Sequence, residues 1–574
     1  MFKLFRFLKP YAGAIVVIVT LFLIQALVDL SLPTFMAEIV NKGIIKGDIN
    51  FILRTGGIML ALSLGGVICA FSAGFLSSRT SLGFSRKLRS VIFTKIENFS
   101  LYEFDKIGGS SLITRTTSDV LMIQQTLIIM LSMMLRAPLM CVGGIVMAVS
   151  RDPQLSLVLA VAVPLLAIIV FSVQQFMIPL FKIIQKKLDA LNLVIREKLA
   201  GNREVRAFDR TLYERKRFDD ASASLMGTSL QMVTLMSVIM PVVMTIMNFT
   251  MIAIVWVGGL RVQAGHMQVG DILAFIQYVS LILFAIMMVS MLFIFIPRAQ
   301  VSAGRISEVL DIVPEINDPE KPISPPSGGN IEFKNVDFKY HGAEQKALFG
   351  VSFKAGPGEV TAIIGGTGSG KSTLASLILR FYDVDSGQVL VDGVDVREMT
   401  QQDLRNRIGY VPQKALLFTG TINDNISFGS KEHDGETVGA ALKTSQSSEF
   451  VDLLAEKDMS ILAQGGRNLS GGQKQRLSIA RALFRKPGIF IFDDSFSALD
   501  FKTDAALRAA LKNETKKSTV IIIAQRVATV LDADRIIVLD EGSTAGIGTH
   551  KELMKTCDVY REIVYSQLSQ EELA

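Results

Sequence analysis

Six stretches of the sequence stay apolar over lengths that cross hydrocarbon: approximately residues 14–38, 56–78, 122–149, 155–180, 233–259 and 272–297. A bilayer core of about 30 Å takes roughly 20 helical residues. Inside it, backbone groups without a partner are too costly to leave, so each stretch is predicted as a membrane-spanning helix. Hydrophobic residues make up 50% of the chain. Their crowding into the first half argues for spans rather than for one oversized soluble core.

Charge sets the direction of the spans. The polar stretch between the second and third carries Arg79, Arg86, Lys87, Arg89, Lys95, Lys106 and Arg115. The stretch between the fourth and fifth is equally basic, from Lys182 to Arg217. The opposite loops hold only Lys42, Lys46, Arg54, Arg151 and Arg261. Basic loops stay in the cytoplasm, so both termini are expected there, in a multi-pass protein of the cell membrane. The N-terminal "MFKLFRFLKP" has a signal peptide's charge order, but the apolar run after it is too long and no A-x-A-like site follows. It reads as an interfacial helix before a retained span. No Lys/Arg block accompanies the net charge of +6, which excludes a nucleic-acid tail. Cys69, Cys141 and Cys557 are too few and scattered for a disulfide framework or a metal site.

"VPEINDPEKPISPPSGG" (313–329) breaks the helical pattern and divides residues 1–312, the membrane domain, from a soluble domain at 330–574. In the latter, short β-like runs ("VTAIIG", "IGYVPQ", "IFIFDD") alternate with helical stretches, the pattern of an α/β domain.

"GGTGSGKST" follows the first of these runs and opens a helix. Gly365, Gly366, Thr367, Gly368, Ser369, Gly370, Lys371, Ser372 and Thr373 fit a phosphate-binding loop. Backbone N–H groups close on phosphate oxygens, the lysine meets the β and γ phosphates, and the Ser372 hydroxyl is placed to ligate Mg2+. A second anion-binding turn occurs at Leu469, Ser470, Gly471, Gly472 and Gln473, again at a helix start. Both ends cannot serve one γ-phosphate without an implausible bend of the chain. The simplest arrangement is two copies of the domain, head to tail, each completing the other's site.

These motifs, in this order, resemble an ATP-binding cassette (ABC) exporter half-transporter, with an all-α six-helix membrane domain followed by a P-loop nucleotide-binding domain. The resemblance implies ATP and Mg2+ as cofactors. It implies Tyr340 for adenine stacking, Gln413 of "YVPQ" and Asp493 beside Ser372 as metal ligands, and Asp500 in the loop "SALD". Ser100–Val120 and Arg196–Glu214 resemble the family's two cytoplasmic coupling regions, the second of which reaches a partner's nucleotide domain.

Two positions depart from that pattern. Where the family places a catalytic Glu, this chain has Asp494, shorter by one methylene and roughly 1.5 Å. Where the family places a His that grips the γ-phosphate, it has Gln525, which cannot become cationic. A positioned base is worth about 10²–10⁴-fold. The expectation is a site that binds Mg·ATP and hydrolyses it poorly, in a heterodimer whose other half-transporter brings the Glu and His. Its intact signature turn would complete that partner's site.

For cargo, amphipathic small molecules are expected, with lipid or peptide export, or a regulatory subunit without transport, as alternatives. Methionines crowd the third, fifth and sixth spans, Met244, Met247, Met287 and Met288 among them, and suit either an adaptable surface or plain packing. Arg136 in the third span carries an insertion cost of about 2.5–3.5 kcal/mol and should face protein or water. Asp29 and Glu38 mark the outer half of the first span, and these charges read either as a polar lining or outer gate, with Asp29 placed to contact cationic cargo, or as a structural pair or snorkelling side chains. Phe275 and Tyr278 of the sixth span are further cavity candidates.

Overall fold

The computed structural model describes residues 2–134, 136–430 and 435–567. The chain folds as two compact units, Met1–Glu97 with Gly109–Ile312, and Asn98–Gly108 with Val313–Ala574.

The first unit is helical. Its long helices are Ala12–Glu38, Ile49–Glu97, Leu157–Ala200, Thr211–Gln263 and Val269–Asp311, while the third span is built from Val120–Met133 and Arg136–Arg151. Among the described residues, six helical runs are long and apolar enough to cross a membrane. At about 1.5 Å per residue, the 49 residues of Ile49–Glu97 reach about 74 Å, more than twice the hydrocarbon thickness.

Small residues let the spans approach closely. A Cβ on Gly144 would lie 2.7 Å from Ile282 Cγ1, and one on Gly143 would collide with Leu30. Tyr278 and Phe275 are fully buried beside Ile282. At the end of the bundle that carries the short loops, Arg261 Nε donates to Asp152 Oδ2 at 2.6 Å and Arg151 pairs with Asp271 at 3.2 Å. Asp152 also accepts from the backbone N–H groups of Gln154 and Leu155, both at 2.9 Å.

The second unit is α/β. Its six-stranded sheet runs Ser543–Gly548, Arg535–Asp540, Val360–Gly365, Thr519–Ile523, Ile489–Asp493 and Ile408–Val411. All neighbours are parallel except the first pair. The near-continuous apolar runs noted in the sequence follow from this: "TVIII" and "IFIFD" are buried at every position because helices cover both faces of a parallel sheet. A second, antiparallel sheet orders Leu348–Ala355, Ile331–Phe338, Ser386–Val391 and Val394–Asp395. The register aligns Ile523 with both Ile363 and Asp493, so the phosphate loop, the two aspartates and the segment holding Gln525 emerge at one edge. Ligands bind at that end of an open parallel sheet.

The candidate nucleotide site and the membrane cavity

The phosphate loop connects the strand ending at Gly365 to the helix starting at Lys371. Its glycines have two different jobs. A Cβ on Gly365 would strike the carbonyl of Leu539 and lie 2.6 Å from Ser369 Oγ; one on Gly370, at φ +93°, would lie 2.7 Å from the carbonyl of Ala347. Those two are required by packing. Gly366 and Gly368 face open space, which is the room a phosphate needs to reach the backbone. Lys371 is buried, and its Nζ donates to the carbonyls of Gly365 (2.8 Å) and Gly366 (2.6 Å). Burial pushes its ammonium below the usual lysine range, against the charges of Asp494 and Asp493.

Ser372 Oγ donates to Asp493 Oδ1 at 3.1 Å. Burial pushes the Asp493 carboxyl up, helped by the neighbouring charge of Asp494, while the Ser372 bond and Lys371 pull it down. A hydroxyl and a buried carboxylate side by side make an oxygen-only donor set. They fit Mg2+, which takes one or two protein oxygens and fills its octahedron with waters and phosphate. Such an ion would supply charge neutralisation to a bound triphosphate. Tyr340 shares a hydrogen bond with Thr373 Oγ1 at 3.0 Å and meets Phe338 and Tyr382 edge-on, so the ring proposed for adenine is tied to the end of the phosphate loop.

Asp494 adopts φ +45°, a conformation uncommon outside glycine. Its N–H donates to Ile523 O at 2.8 Å, and its carboxylate accepts from Gln413 Nε2 at 3.1 Å. The amide of Gln413, read as a metal ligand, thus spends its donor on Asp494; its carbonyl oxygen is the atom a cation would take. Gln525 is exposed just past the adjacent strand. Its carbonyl accepts from Gln567 Nε2, and the N–H of Val527 donates to Gln567 Oε1, both at 2.8 Å. The helix Asp558–Gln567 therefore holds the backbone around Gln525, a relation invisible in local sequence.

The signature turn is exposed and caps its own helix. Ser470 Oγ accepts from Gln473 N and Gln473 Oε1 accepts from Ser470 N, at 3.3 and 2.9 Å. Leu469 packs on the core, Gly471 faces open space, and Gly472 backs onto the carbonyl of Ala498. Asp500 is a helix cap, its carboxylate accepting from Thr503 N at 3.0 Å. Among the described residues, no hydrogen bond joins residues 365–373 to residues 469–473.

The segment Asn98–Gly108, which precedes the third span, belongs to this unit. Ser100 and Glu103 cap its short helix reciprocally, a signal present in the sequence as S-x-x-E. Glu103 Oε1 also accepts from Glu315 N at 2.9 Å; burial raises its carboxyl, but the Ser100 and Glu315 bonds outweigh that and leave it below the usual range. Tyr102 lies on His341, ring centroids 4.0 Å apart, and His341 in turn reaches the Glu315 carboxylate. His341 follows Tyr340 directly. Local sequence singles out neither His341 nor Tyr102, since their contact joins distant parts of the chain.

In the membrane unit, Arg136 Nη2 donates to Asp29 Oδ2 at 3.1 Å. Both line a cavity of about 430 Å³ together with Leu32, Pro33, Phe284 and Met288. The two side chains are an ion pair and both face the cavity. Phe275 and Tyr278 are not on this cavity. They are packed in the bundle core, with the Tyr278 hydroxyl at 2.7 Å from Thr34 Oγ1 and donating to Leu30 O at 3.2 Å. A face of the sixth helix one position over carries the lining instead, including Gln277, Ser280 and Phe284.

Six membrane-crossing helices joined to a phosphate-loop domain define a class, the membrane-embedded nucleotide-driven machines. Profiles of known families sharpen it: the ABC transporter transmembrane region matches residues 15–287, and the ABC transporter domain matches residues 348–497. The chain is 42% identical to an uncharacterized ABC transporter ATP-binding protein of Mycobacterium tuberculosis over 98% of its own length and 97% of that protein's. It is 33% identical to an ATP-dependent lipid A-core flippase of Desulfotalea psychrophila, covering 82% of each. Among solved structures, a bacterial Atm1-family ABC exporter with ATP bound superposes with a TM-score of 0.82, at 24% identity, over 97% of this chain and 98% of the other. The chain belongs to the ABC transporter family: it is a multi-pass protein with fused membrane and nucleotide-binding domains that couples ATP hydrolysis to transport.

Proposed function

We propose that this chain is one half of a heterodimeric exporter of amphipathic molecules, and that its own nucleotide site retains Mg·ATP while the partner's site does most of the hydrolysis. The observation that carries this reading is at Asp494. The carboxylate in the general-base position is the shorter acid, and it is already engaged by Gln413. A base has to reach the water it activates. Gln525, at the position that would grip the γ-phosphate, adds no proton relay. Lys371, Ser372 and Asp493 remain arranged to hold a triphosphate and its cation. The self-capped signature turn offers exposed N–H groups to a phosphate loop on another chain.

A partner is also supported by the second coupling region. The short helix Asn202–Ala207 has no buried residue, and Leu199, Phe208 and Leu212 around it are 74%, 78% and 80% exposed. Apolar groups this exposed, on a basic stretch expected in the cytoplasm, suit a protein groove. The nucleotide domain and both termini then lie on the cytoplasmic side.

The test compares the chain alone with the chain purified alongside its partner half-transporter. The assembled complex should hydrolyse ATP, whereas the chain alone should bind ATP and turn it over at least tenfold more slowly. Brisk hydrolysis by a dimer of this chain, abolished by Asp494→Ala, overturns the division of labour. A second reading, export of a lipid, is favoured by the flippase of Desulfotalea psychrophila among the relatives. Movement of labelled lipids in reconstituted vesicles decides between the two cargo classes.

A further inference from the structure

The Asp29–Arg136 pair sets what the membrane cavity can accept. These two are the only charged residues lining it among the described residues, and the rest of the wall is mostly apolar, from Leu32 and Pro33 to Phe284 and Met288. The cavity therefore has no net charge. A lone carboxylate there would select cations. This one is matched, so a cationic ligand taking Asp29 leaves the Arg136 guanidinium stranded in a low-dielectric wall, and an anionic ligand taking Arg136 strands Asp29.

The pair is also under-used. It is held by a single hydrogen bond at 3.1 Å, and among the described residues neither side chain makes another. A guanidinium has about five N–H donors and a carboxylate about four acceptor sites, so both retain unused capacity. Each side chain is roughly a third exposed, 30% for Arg136 and 27% for Asp29. Resting on the reading of this chain as an exporter of amphipathic molecules, we propose that the cavity binds amphiphiles with a zwitterionic head group, the anionic part on Arg136 and the cationic part on Asp29. The apolar tail lies along Phe284 and Met288. Such a ligand leaves neither buried charge unpaired, and the volume of about 430 Å³ accommodates a head group with the first part of a tail.

The test uses the full chain, with its partner half-transporter, in nanodiscs and three probes of equal chain length: dodecylphosphocholine, dodecyltrimethylammonium and dodecyl phosphate, each below its micellar concentration. Dodecylphosphocholine should bind at least tenfold more tightly than either singly charged probe. Asp29→Asn should shift preference toward dodecyl phosphate and Arg136→Gln toward dodecyltrimethylammonium, each costing the zwitterion at least tenfold. Because a single change strands a charge, the exchanged pair Asp29→Arg with Arg136→Asp controls for folding and should recover zwitterion binding at least in part. Tightest binding of either singly charged probe by the unmodified complex, or zwitterion binding unmoved by both single substitutions, overturns the proposal. If amphiphiles are still transported in that case, the exporter reading stands and only the head-group assignment fails; if none is moved by ATP although binding follows the expected pattern, the exporter reading fails instead. Flip of a labelled two-chain phosphatidylcholine and uptake of the single-chain phosphocholine into inside-out vesicles distinguish a bilayer lipid from a soluble amphiphile as the source.

Discussion

Gln413 and Asp494 are joined by a hydrogen bond of 3.1 Å from the side-chain amide of one to the carboxylate of the other. The bond ties the loop after one strand to the end of its neighbour, since Ile408–Val411 and Ile489–Asp493 are adjacent and parallel. A carboxylate fixed by an amide is not free to turn toward a water. If the site hydrolyses poorly as proposed, Asp494→Ala in the assembled complex should change total ATPase activity by less than about twofold, since the general-base factor of about 10²–10⁴ is then already lost. Ser470→Arg, which fills the exposed signature turn, should lower it at least tenfold. Steady-state phosphate release measures both, and equal losses would refute the asymmetry.

The phosphate loop separates fold from binding one residue at a time. Gly366→Ala adds a methyl into open space and should leave the melting temperature nearly unchanged while weakening ATP binding severalfold. Gly365→Ala forces its methyl against Leu539 and Ser369 and should destabilise the domain, in the range of about 1–3 kcal/mol typical of overpacking. Thermal unfolding and nucleotide titration on the same preparations distinguish the two.

Acid should act on the end of the bundle that carries the short loops. Burial raises the Asp152 carboxyl, but the Leu155 N–H, Arg261 and the Gln154 N–H more than offset it, and the group sits below the usual carboxylate range. A depressed carboxyl contributes stability that is fully present above its unfolded value of about 3.9 and is lost as pH falls through the lower folded value. Asp152→Asn should lower the melting temperature at neutral pH and flatten its decline below about pH 4. An acid limb identical to that of the unmodified chain would show that this pair is silent.

The Gln567 bridge is testable by amide exchange. Gln567→Ala removes both bonds to the backbone at Gln525 and Val527, so exchange at Val527 should accelerate by about tenfold, as for loss of a bond worth about 1.4 kcal/mol. Gln567→Glu keeps the acceptor for Val527 and loses the donor to Gln525, and should fall between.

Tyr102→Ala tests whether the contact with His341 transmits the nucleotide state. Transport per ATP consumed should fall severalfold with nucleotide affinity retained; a parallel fall in both would assign the contact to stability alone.

What was legible in the sequence was local. An apolar run declares a span over its own length, and Gly365–Ser372 declares a phosphate loop because strand, glycines, lysine and helix are contiguous. The parallel sheet could be anticipated from runs such as "IFIFD", whose every position is buried. The cavity assignments failed for Phe275 and Tyr278 because a helix that is apolar on all sides gives no phase to say which face opens. The sequence leaves Asp29 and Arg136 open between a lining, a gate, a structural pair and snorkelling, and only the packing of the first helix against the third brings the two side chains together. Asp500 looked functional by its place in "SALD" and also serves a local need, closing the first turn of a helix.

The residues Asn98–Gly108 are threaded between two membrane helices yet fold with the domain that begins after the linker. A fragment started at residue 330 would leave Tyr102 and Glu103 behind, uncovering one face of His341. It would also lose Glu315, the other partner of that imidazole. No single cut yields an intact soluble half, so an excised nucleotide domain of this polypeptide will carry a wound in its own surface around His341.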